Sequence, residues 1–370
     1  MRILADYRPA LRERTGVGEY LHGVIRAYAA AHPGEVTLFT SSWSDRLSPH
    51  VPAELGVSAV DRRIPVRVLN LLWHRAGWPP IEAIAGDFDL VHAAHPLLIP
   101  TRRAAQVVTI HDLFFLSNRA QTAAEIRRDY AMLAGEHARR AHAVVTSTAH
   151  GKRLVVEHLR VPETHVYVCP PGRPTWKTLG RTPNVPRDGY ILFVGTLEPR
   201  KNVGALLDAY ELLLQRRPSA PPLVLAGRAT PDAAPWLNRI GRPPLAGRIR
   251  PLGYVPEDRR EQVFAGARVL VMPSLDEGFG LPALEAMSAG IPVIASNRGA
   301  LPEVVGNGGL LFDPAQPAAL ASAIEQLLVD EGVSASWGSA GLERAREFSW
   351  STAAAVLRRA YTEAVMRRQS

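Results

Sequence analysis

The feature that most constrains the fold is the alternation of short apolar runs with helical patterns along nearly the whole chain. In the first half, the runs that read as strands are Arg2–Ala5, Val36–Thr40, Leu90–Ala93, Val107–Ile110, Val144–Ser147 and Val166–Cys169. In the second half they are Tyr190–Val194, Leu223–Ala226, Val269–Met272 and Val293–Ala295. Apolar residues at helical spacing, as in Val203–Gln215, separate these runs. Strands that alternate with helices form parallel sheets with helices on both faces, so the chain is predicted to be α/β and doubly wound.

Prolines mark the point at which this pattern restarts. Residues 170–188 contain five prolines and no sustained period, which is typical of a linker. A chain of 370 residues also suits two domains. We therefore predict a Rossmann-like domain over residues 1–172 and another over 186–350, with the last helix, 351–370, crossing back onto the first. Open α/β sheets bind ligands at the carboxyl ends of their strands, so the chemistry is expected in the cleft between the domains.

Composition and missing motifs exclude several classes of protein. The 43 basic against 35 acidic residues favour an anionic partner, whether a phosphate compound, a nucleic acid or an acidic lipid. The chain has a single cysteine, Cys169, and no cysteines and histidines at the spacing of a zinc site, which favours a protein without a metal. It also shows no signal or membrane-spanning segment, which favours the cytoplasm. The motifs of P-loop ATPases, zinc proteases and α/β hydrolases are missing from the sequence. Leu21 stands where a dinucleotide fingerprint needs its third glycine, which disfavours NAD.

The densest candidate site is the segment 272–296. After the strand Val269–Met272, the turn 277–281 contains two glycines that allow close backbone approach, and Pro282 suits the first position of a helix. The start of a helix attracts a phosphate or a hydroxyl-rich sugar, and Glu285, expected in the first turn, can accept hydrogen bonds from hydroxyls. Either glutamate alone is equally well explained as an acid beside a helix start. Taken with the glycines and Pro282, Glu277 and Glu285 predict one shared ligand.

A second candidate site follows the strand Tyr190–Val194. Arg200 and Lys201 are adjacent at this strand's carboxyl end, where a guanidinium fork and an ammonium can hold two phosphates. The alternative is a solvated basic turn. Lysine is rare in this chain, with three among 43 basic residues, and this favours a function for Lys201.

The first half offers weaker candidates. His111 follows the strand Val107–Ile110 and either contacts a ligand or is a hydrogen-bonded core histidine. Gly16 and Gly18 form a glycine turn before a helix, which is a weak signal by itself. The basic and apolar stretch Arg62–Trp78 is interpreted first as a helix packed on its own domain, with an acidic membrane surface or an acceptor groove as alternatives. The acids Asp87 and Asp89 have metal-like spacing but precede a strand, as turn residues often do.

Motifs along nearly the whole chain carry a family resemblance. They are TGVGEYL, VVTIHDLFFL, VVTSTAHGKRLV, VYVCPPG, ILFVGTLEPRKNV, LVLAGR, LGYVPEDR, MPSLDEGFGLPALEAMSAGIPVIAS and LPEVVGNGGLLFDP. In this set the sequence resembles glycosyltransferase family 4, whose members are retaining transferases with the GT-B fold. The resemblance implies a nucleotide-sugar donor on the second domain and an acceptor on the first.

The resemblance also implies roles for particular residues. Glu285 would contact the ribose, Arg200 and Lys201 the diphosphate, and His111 the sugar near the reacting carbon. Glu277 would bind the donor sugar together with Gly278, Phe279, Gly280 and Leu281. Gly16 and Gly18 would also contact the phosphates. Tyr254 and Val255 would contact the base. One departure is Gly195-Thr196, since many relatives carry Arg after this glycine, so Arg200 and Lys201 carry more of the phosphate binding. We therefore expect Lys201→Ala to reduce transfer far more than folding.

The sequence thus predicts a GT-B transferase that moves a hexose from a nucleoside diphosphate sugar to an acceptor hydroxyl, with retention and without a metal or cofactor. GDP-mannose is the first donor implied by the resemblance, while UDP-glucose, UDP-N-acetylglucosamine and dTDP-rhamnose stay open. The expected acceptor is a saccharide or a lipid-linked saccharide rather than a nucleic acid, and the expected place is the cytoplasm or the inner face of the membrane. Alternatives are a sugar phosphorylase, a nucleotide-sugar epimerase or a non-catalytic nucleotide-sugar sensor. Stabilisation of charge on the leaving diphosphate is expected to be the main catalytic effect.

Overall fold

The structure is a computed structural model that describes residues 1–12, 14–117, 131–176 and 188–369. The chain divides into two compact units. The first unit is Met1–Gly172 together with Ser349–Ser370, and the second is Arg173–Phe348. No helix in the described ranges has the length and apolar character needed to cross a membrane.

The first unit is built around a parallel sheet. Its strands are β1 Ile3–Asp6, β2 Val36–Ser41, β3 Ser58–Arg62, β4 Leu90–Ala93, β5 Ala105–Thr109, β6 Ala143–Thr146 and β7 Val166–Val168. Its helices up to residue 172 are α1 Gly16–Ala31, α2 His50–Leu55, α3 Val66–Ala76, α4 Glu82–Ala85, α5 Phe114–Ser117, α6 Ala131–Arg140 and α7 Ala149–Leu159. Within the described residues the strand order is β3-β2-β1-β4-β5-β6-β7, and every neighbouring pair is parallel. The chain direction across the sheet therefore reverses between β1 and β4, where doubly wound sheets bind ligands.

The second unit repeats this arrangement. Its strands are β8 Tyr190–Val194, β9 Leu223–Ala226, β10 Ile249–Gly253, β11 Ala267–Met272, β12 Val293–Ser296 and β13 Leu310–Phe312. Its helices are α8 Val203–Arg216, α9 Ala234–Ile240, α10 Glu257–Ala265, α11 Leu281–Ser288, α12 Leu301–Val305, α13 Pro317–Val329 and α14 Glu331–Ala345. The described strands form a parallel sheet in the order β10-β9-β8-β11-β12-β13, so its switch point lies between β8 and β11.

The last helix, α15 Trp350–Gln369, packs on the first unit. Its buried side chains join the core that contains α1 and β1, and the hydroxyl of Tyr361 hydrogen-bonds to Nδ1 of His92 at 2.7 Å. At its start the Trp350 indole covers Gly23, where a Cβ would lie 2.4 Å from the ring. The sequence predicted that the last helix could cross back onto the first domain, and in the structure residues from Ser349 onward belong to the first unit.

Three strands are absent from the sequence prediction, and all three are edge strands. Ser58–Arg62, Ile249–Gly253 and Leu310–Phe312 each end a sheet, and many of their residues are exposed. A strand buried on both faces reads as an apolar run, whereas Ser58–Arg62 and Ile249–Gly253 include polar residues and Leu310–Phe312 is only three residues long. The ten predicted strands lie within a few residues of observed ones.

The boundary of the second unit differs from the prediction. The sequence predicted a start at residue 186, whereas the unit begins at Arg173. Trp176 lies against the ring of Phe264, with 5.1 Å between ring centroids, and this contact attaches the first part of the proline-rich segment to the second unit. The rest of the predicted linker, residues 177–187, lies outside the described residues.

Candidate functional site

The loops that follow β8 and β11 meet at the switch point of the second unit. The β8 loop contains the short 3₁₀ helix Pro199–Lys201, and the β11 loop contains Glu277. The N–H of Leu275 donates to the carbonyl of Arg200 at 2.8 Å, which ties the two loops together. The structure therefore brings Arg200, Lys201 and Glu277 into one cluster, although they lie more than seventy residues apart in sequence.

Glu277 is the buried centre of this cluster, with 5% of the residue exposed. The Lys201 ammonium donates to Oε1 of Glu277 at 2.5 Å, and the Ser274 hydroxyl donates to the same oxygen at 2.8 Å. Arg200 Nη1 lies 3.4 Å from Oε2. Burial alone would raise the pKa of the Glu277 carboxyl, but Lys201 and Arg200 outweigh that effect and lower it. Glu277 is therefore an ionised carboxylate at neutral pH.

Arg200 is held by a second carboxylate. Its Nε and Nη2 donate to Oε1 of Glu198 at 3.2 and 3.0 Å, and Nη1 donates to the carbonyl of Asp276 at 3.2 Å. Glu198 and Glu277 together balance the charges of Arg200 and Lys201. The sequence predicted that Arg200 and Lys201 bind a diphosphate, whereas in this structure both cations already form ion pairs with carboxylates of the chain. An ammonium carries three N–H donors, so Lys201 can contact a further acceptor while it keeps Glu277.

Glycines fix the backbone around Glu277. Gly280, with φ of +96°, is the N-cap of α11, and a Cβ there would lie 2.6 Å from the Leu301 side chain. Gly299, with φ of +59°, packs on the Glu277 backbone, and a Cβ there would lie 2.6 Å from the Glu277 nitrogen. The sequence identified Gly280 but missed Gly299, because nothing nearby in the sequence connects residue 299 to Glu277.

The start of α11 differs from the prediction in two details. The helix begins at Leu281, so Pro282 is its second residue rather than its first. Glu285 is then the fifth helical residue, and the first turn of α11 carries no acidic residue. The prediction that Glu285 lies in the first turn is therefore wrong, and its carboxylate lies beyond the part of the helix where the dipole acts.

Glu285 is partnered by an arginine that the sequence did not suggest. Arg260 of α10 donates from Nη2 to Oε2 of Glu285 at 2.9 Å, and both side chains are largely buried. Such a charge-assisted bond holds a carboxylate in one orientation. Arg260 is one of two adjacent arginines in the polar helix EDRREQVFA, and nothing in the sequence distinguishes it from Arg259.

The remaining predicted residues of the second unit follow strands at the carboxyl end of its sheet. Gly278 and Phe279 lie between Glu277 and the helix start, and Leu281 is partly buried against the core. The Phe279 ring is buried edge-on against Phe348, with 5.6 Å between centroids, so its side chain is structural and its backbone N–H stays the predicted ligand group. Tyr254 and Val255 directly follow β10, at the same carboxyl edge of the sheet.

In the first unit, His111 follows β5 and is held as a neutral imidazole. Burial lowers its pKa to about 4, against the opposing effects of Asp112 and of a hydrogen bond to the Ala94 carbonyl. Within the described residues its buried Nε2 has no hydrogen-bond partner. If Nδ1 carries the proton and donates it to Ala94, Nε2 is unprotonated and can accept a hydrogen bond. The His111 ring is also fixed edge-on to Tyr20, with 5.3 Å between centroids.

Gly16 and Gly18 do not form the predicted glycine turn. Both lie in the first turn of α1, after the N-cap Thr15. Gly18 is buried where a Cβ would be 3.1 Å from the Pro9 carbonyl oxygen, while Gly16 is exposed. Gly18 thus allows the preceding loop to pass close to the helix start.

A buried ionic cluster at the end of β1 was missed by the sequence analysis. Arg8 binds both carboxylate oxygens of Asp6 at 2.8 Å, and Nε2 of His95 lies 3.2 Å from Asp6 Oδ2. Although burial would raise it, Arg8 and His95 hold the pKa of Asp6 well below its usual range. Arg8 also donates to Asn70 at 3.0 Å, which links the β1 loop to α3.

Across the described ranges, no group of three or more His, Cys, Asp or Glu side chains is arranged to hold a metal. Asp89 instead accepts a hydrogen bond from the backbone nitrogen of Arg2 at 2.7 Å, so it acts in the turn before β4.

Comparison with known proteins assigns both units. A model described as glycosyltransferase family 4 matches residues 14–177, and one described as glycosyl transferases group 1 matches residues 188–330. An O-antigen chain mannosyltransferase B of Escherichia coli is 46% identical over 163 residues. That match covers 44% of this chain and 42% of the relative, so less than half of either protein is aligned.

Solved structures share the fold. Sucrose-phosphate synthase from Thermosynechococcus elongatus superposes with a TM-score of 0.78 over 100% of both chains, at 22% identity. Anabaena Alr3699/HepE in complex with UDP-glucose has a TM-score of 0.75, at 20% identity over 97% of this chain and 99% of that one. The chain has two parallel-sheet units, and the family 4 model matches the first while the group 1 model matches the second. The chain belongs to the family 4-like glycosyltransferases and has their GT-B fold.

Proposed function

We propose that this glycosyltransferase transfers a hexose from a nucleoside diphosphate sugar to an acceptor hydroxyl with retention of configuration, and that it does so in the cytoplasm without a metal or cofactor. The observation that carries the proposal is the buried Glu277 carboxylate with Lys201 and Arg200 at the switch point of the second unit. A buried carboxylate beside two cations places an acceptor for sugar hydroxyls next to donors for phosphates.

The proposed donor is GDP-mannose. It is supported by the similarity to the E. coli mannosyltransferase, which covers less than half of either chain. UDP-sugars are the alternative, since a structural neighbour was solved with UDP-glucose. The proposed acceptor is a saccharide or a lipid-linked saccharide.

The proposed chemistry is electrostatic. Departure of the nucleotide develops negative charge on the diphosphate, and Lys201 and Arg200 would stabilise that charge in the transition state. Glu277 would bind the sugar hydroxyls, and Glu285, oriented by Arg260, would bind the ribose. In the first unit, a neutral His111 would add no positive charge beside the anomeric carbon, where positive charge develops, and its buried Nε2 would accept from a sugar hydroxyl only after the side chains that cover it move. The acceptor's proton would pass to the donor phosphate as the new bond forms on the face from which the nucleotide leaves.

A thermal-shift panel with GDP, UDP, dTDP and ADP tests the donor base, because a ligand stabilises the folded state according to its affinity. Transfer is then measured from the matching sugar nucleotide to a saccharide acceptor, with and without EDTA, and the anomeric configuration of the product is read by NMR. A product with retained configuration that forms equally in EDTA is expected. Release of a free sugar phosphate would instead indicate a phosphorylase, an epimer formed without acceptor would indicate an epimerase, and binding without turnover would indicate a sensor.

A further inference from the structure

Ser274 is a buried hydroxyl beside the proposed sugar-binding carboxylate. It lies two residues after β11 and is 1% exposed. Its Oγ donates to Oε1 of Glu277 at 2.8 Å, and the Lys201 ammonium donates to the same oxygen at 2.5 Å. A carboxylate oxygen has about two lone pairs with which to accept hydrogen bonds. Ser274 and Lys201 together therefore occupy Oε1 of Glu277.

The second oxygen of Glu277 is bonded less fully. Among the residues that the structure describes, Oε2 has its contact with Nη1 of Arg200, at 3.4 Å. That distance exceeds the usual N–H···O range of about 2.7–3.2 Å, and the Arg200 guanidinium makes shorter bonds to Glu198 and to the Asp276 carbonyl. Oε2 therefore keeps a lone pair with which to accept a hydrogen bond from a ligand.

The backbone around Ser274 is fixed by two neighbouring segments of the second unit. The hydroxyl of Ser296, at the end of β12, donates to the Ser274 carbonyl at 2.5 Å. The side-chain amide of Asn202, from the loop after β8, donates to the Pro273 carbonyl at 3.2 Å. Both donors come from elements other than the one that carries Ser274, so its hydroxyl keeps a defined place beside Glu277.

We propose that Ser274 is a positioning residue for glycosyl transfer, which together with Lys201 directs Oε2 of Glu277 to a hydroxyl of the donor sugar. The last torsion of a glutamate side chain has a broad energy minimum, so hydrogen bonds must set the direction of its oxygens. Two donors on Oε1 set that direction before the substrate binds, so the carboxylate does not have to be ordered during the reaction. The inference rests on the proposed function, because it takes Glu277 as the residue that binds the sugar.

Ser274→Ala should impair use of the sugar and leave binding of the nucleotide intact. The carboxylate then keeps Lys201 but loses the second donor on Oε1. We expect kcat/KM for the sugar nucleotide to fall roughly 10- to 100-fold, which is the effect of one hydrogen bond to a charged group. Affinity for the free nucleoside diphosphate should not change, because this ligand contains no sugar. Ser274→Thr keeps a hydroxyl and should recover most of the lost kcat/KM.

Ser288→Ala is the matched control. Ser288 is also buried, with 3% of the residue exposed, and its hydroxyl donates to the Leu284 carbonyl within α11 at 2.7 Å. Both Ser→Ala variants remove one buried hydroxyl and its hydrogen bond, so both should lower the melting temperature. A fall in kcat/KM is expected for Ser274→Ala and not for Ser288→Ala, which separates positioning from a general loss of stability.

Glu277→Gln tests which oxygen the sugar uses. The amide oxygen of glutamine can accept from Ser274 and Lys201, and the amide nitrogen then stands in place of Oε2 and cannot accept a hydrogen bond. We expect this variant to bind the free nucleoside diphosphate and to lose at least as much kcat/KM as Ser274→Ala. A kcat/KM equal to that of the wild type would overturn the assignment of Oε2 to the sugar.

Calorimetric titration, initial rates and thermal unfolding of the full chain measure these effects. The donors are GDP-mannose, UDP-glucose, UDP-N-acetylglucosamine and dTDP-rhamnose, each compared with its free nucleoside diphosphate, and the acceptor is a saccharide. A wild type that transfers from none of them would overturn the proposed function and this inference with it. If the wild type transfers, two results would overturn the role of Ser274 alone: a Ser274→Ala variant with full kcat/KM, or one that loses affinity for the free nucleotide by the same factor.

Discussion

Replacement of Lys201 by methionine tests how the buried Glu277 is held. Both side chains are nearly inaccessible, and their charged atoms lie 2.5 Å apart. Loss of one partner from a buried ion pair costs about 3–5 kcal/mol. Because Arg200 and Ser274 still contact Glu277, we expect the lower end, about 3 kcal/mol. For a unit of this size, that lowers the melting temperature by roughly 6–12 °C.

The same loss should depend on pH in a defined direction. In the wild type the pKa of Glu277 is lowered, so its contribution to stability is fully present above its unfolded-state pKa and is lost as the pH falls through the folded-state pKa. In Lys201→Met, burial of the carboxyl is less compensated, so its pKa is higher than in the wild type. The stability difference between the two proteins is therefore largest at neutral pH and narrows as the pH falls through the folded-state pKa of the variant and then through that of the wild type.

Thermal unfolding without ligand, at several pH values, measures both effects. The double variant Lys201→Met/Glu277→Gln should recover about 1–3 kcal/mol relative to the sum of the single losses. Lys152→Met is the matched control, because Lys152 pairs with the exposed Glu163 and such a pair contributes less than about 1 kcal/mol. Additive single losses, or a stability difference that is constant with pH, would refute this account of Glu277.

Three further predictions concern separate features. Glu285→Ala should weaken binding of the free nucleotide, whereas Glu277→Ala should mainly impair use of the sugar; equal losses in a nucleotide-binding assay and a transfer assay would contradict this division. Gly299→Ala should reduce both the melting temperature and transfer, because a Cβ would collide with the Glu277 backbone. The control Gly34→Ala, at a positive φ with open space around it, should lower the free energy of unfolding by about 1–2 kcal/mol without affecting transfer. Burial raises the pKa of Cys169 to about 11, so its thiol should resist alkylation at pH 8 in the native protein and react on unfolding. The thiol contacts the Ala353 carbonyl of α15, so labelled Cys169 in mass spectra of the native protein would show instead that the α15 region opens readily.

The structure changes one expectation about Lys201. The sequence suggested that Lys201→Ala would affect transfer far more than folding, because the loop charge was assigned to the ligand alone. In the folded protein Lys201 is the direct partner of a buried carboxylate, so we expect its loss to reduce stability as well. A single sequence could not reveal this, because the contact joins residues 201 and 277 from different strands.

The sequence by itself determined the elements that are buried and regular. Strands covered on both faces must be continuous apolar runs, so the central strands of both sheets and the alternation with helices could be predicted within a few residues. Motifs that lie within one loop, such as Arg200 with Lys201 and Glu277 before Gly280, could also be found, because their chemistry depends on neighbouring positions in the chain.

The tertiary structure decided what depends on contacts between distant segments. The strand order places the loops after β8 and β11 side by side, and only then does Glu277 acquire Lys201 and Arg200 as partners. The pairing of Glu285 with Arg260, the contact of Gly299 with the Glu277 backbone and the orientation of His111 by the Ala94 carbonyl arise in the same way. Each of these contacts joins residues that are far apart in the chain, or one residue among several of the same type, so local sequence patterns do not predict the contacts.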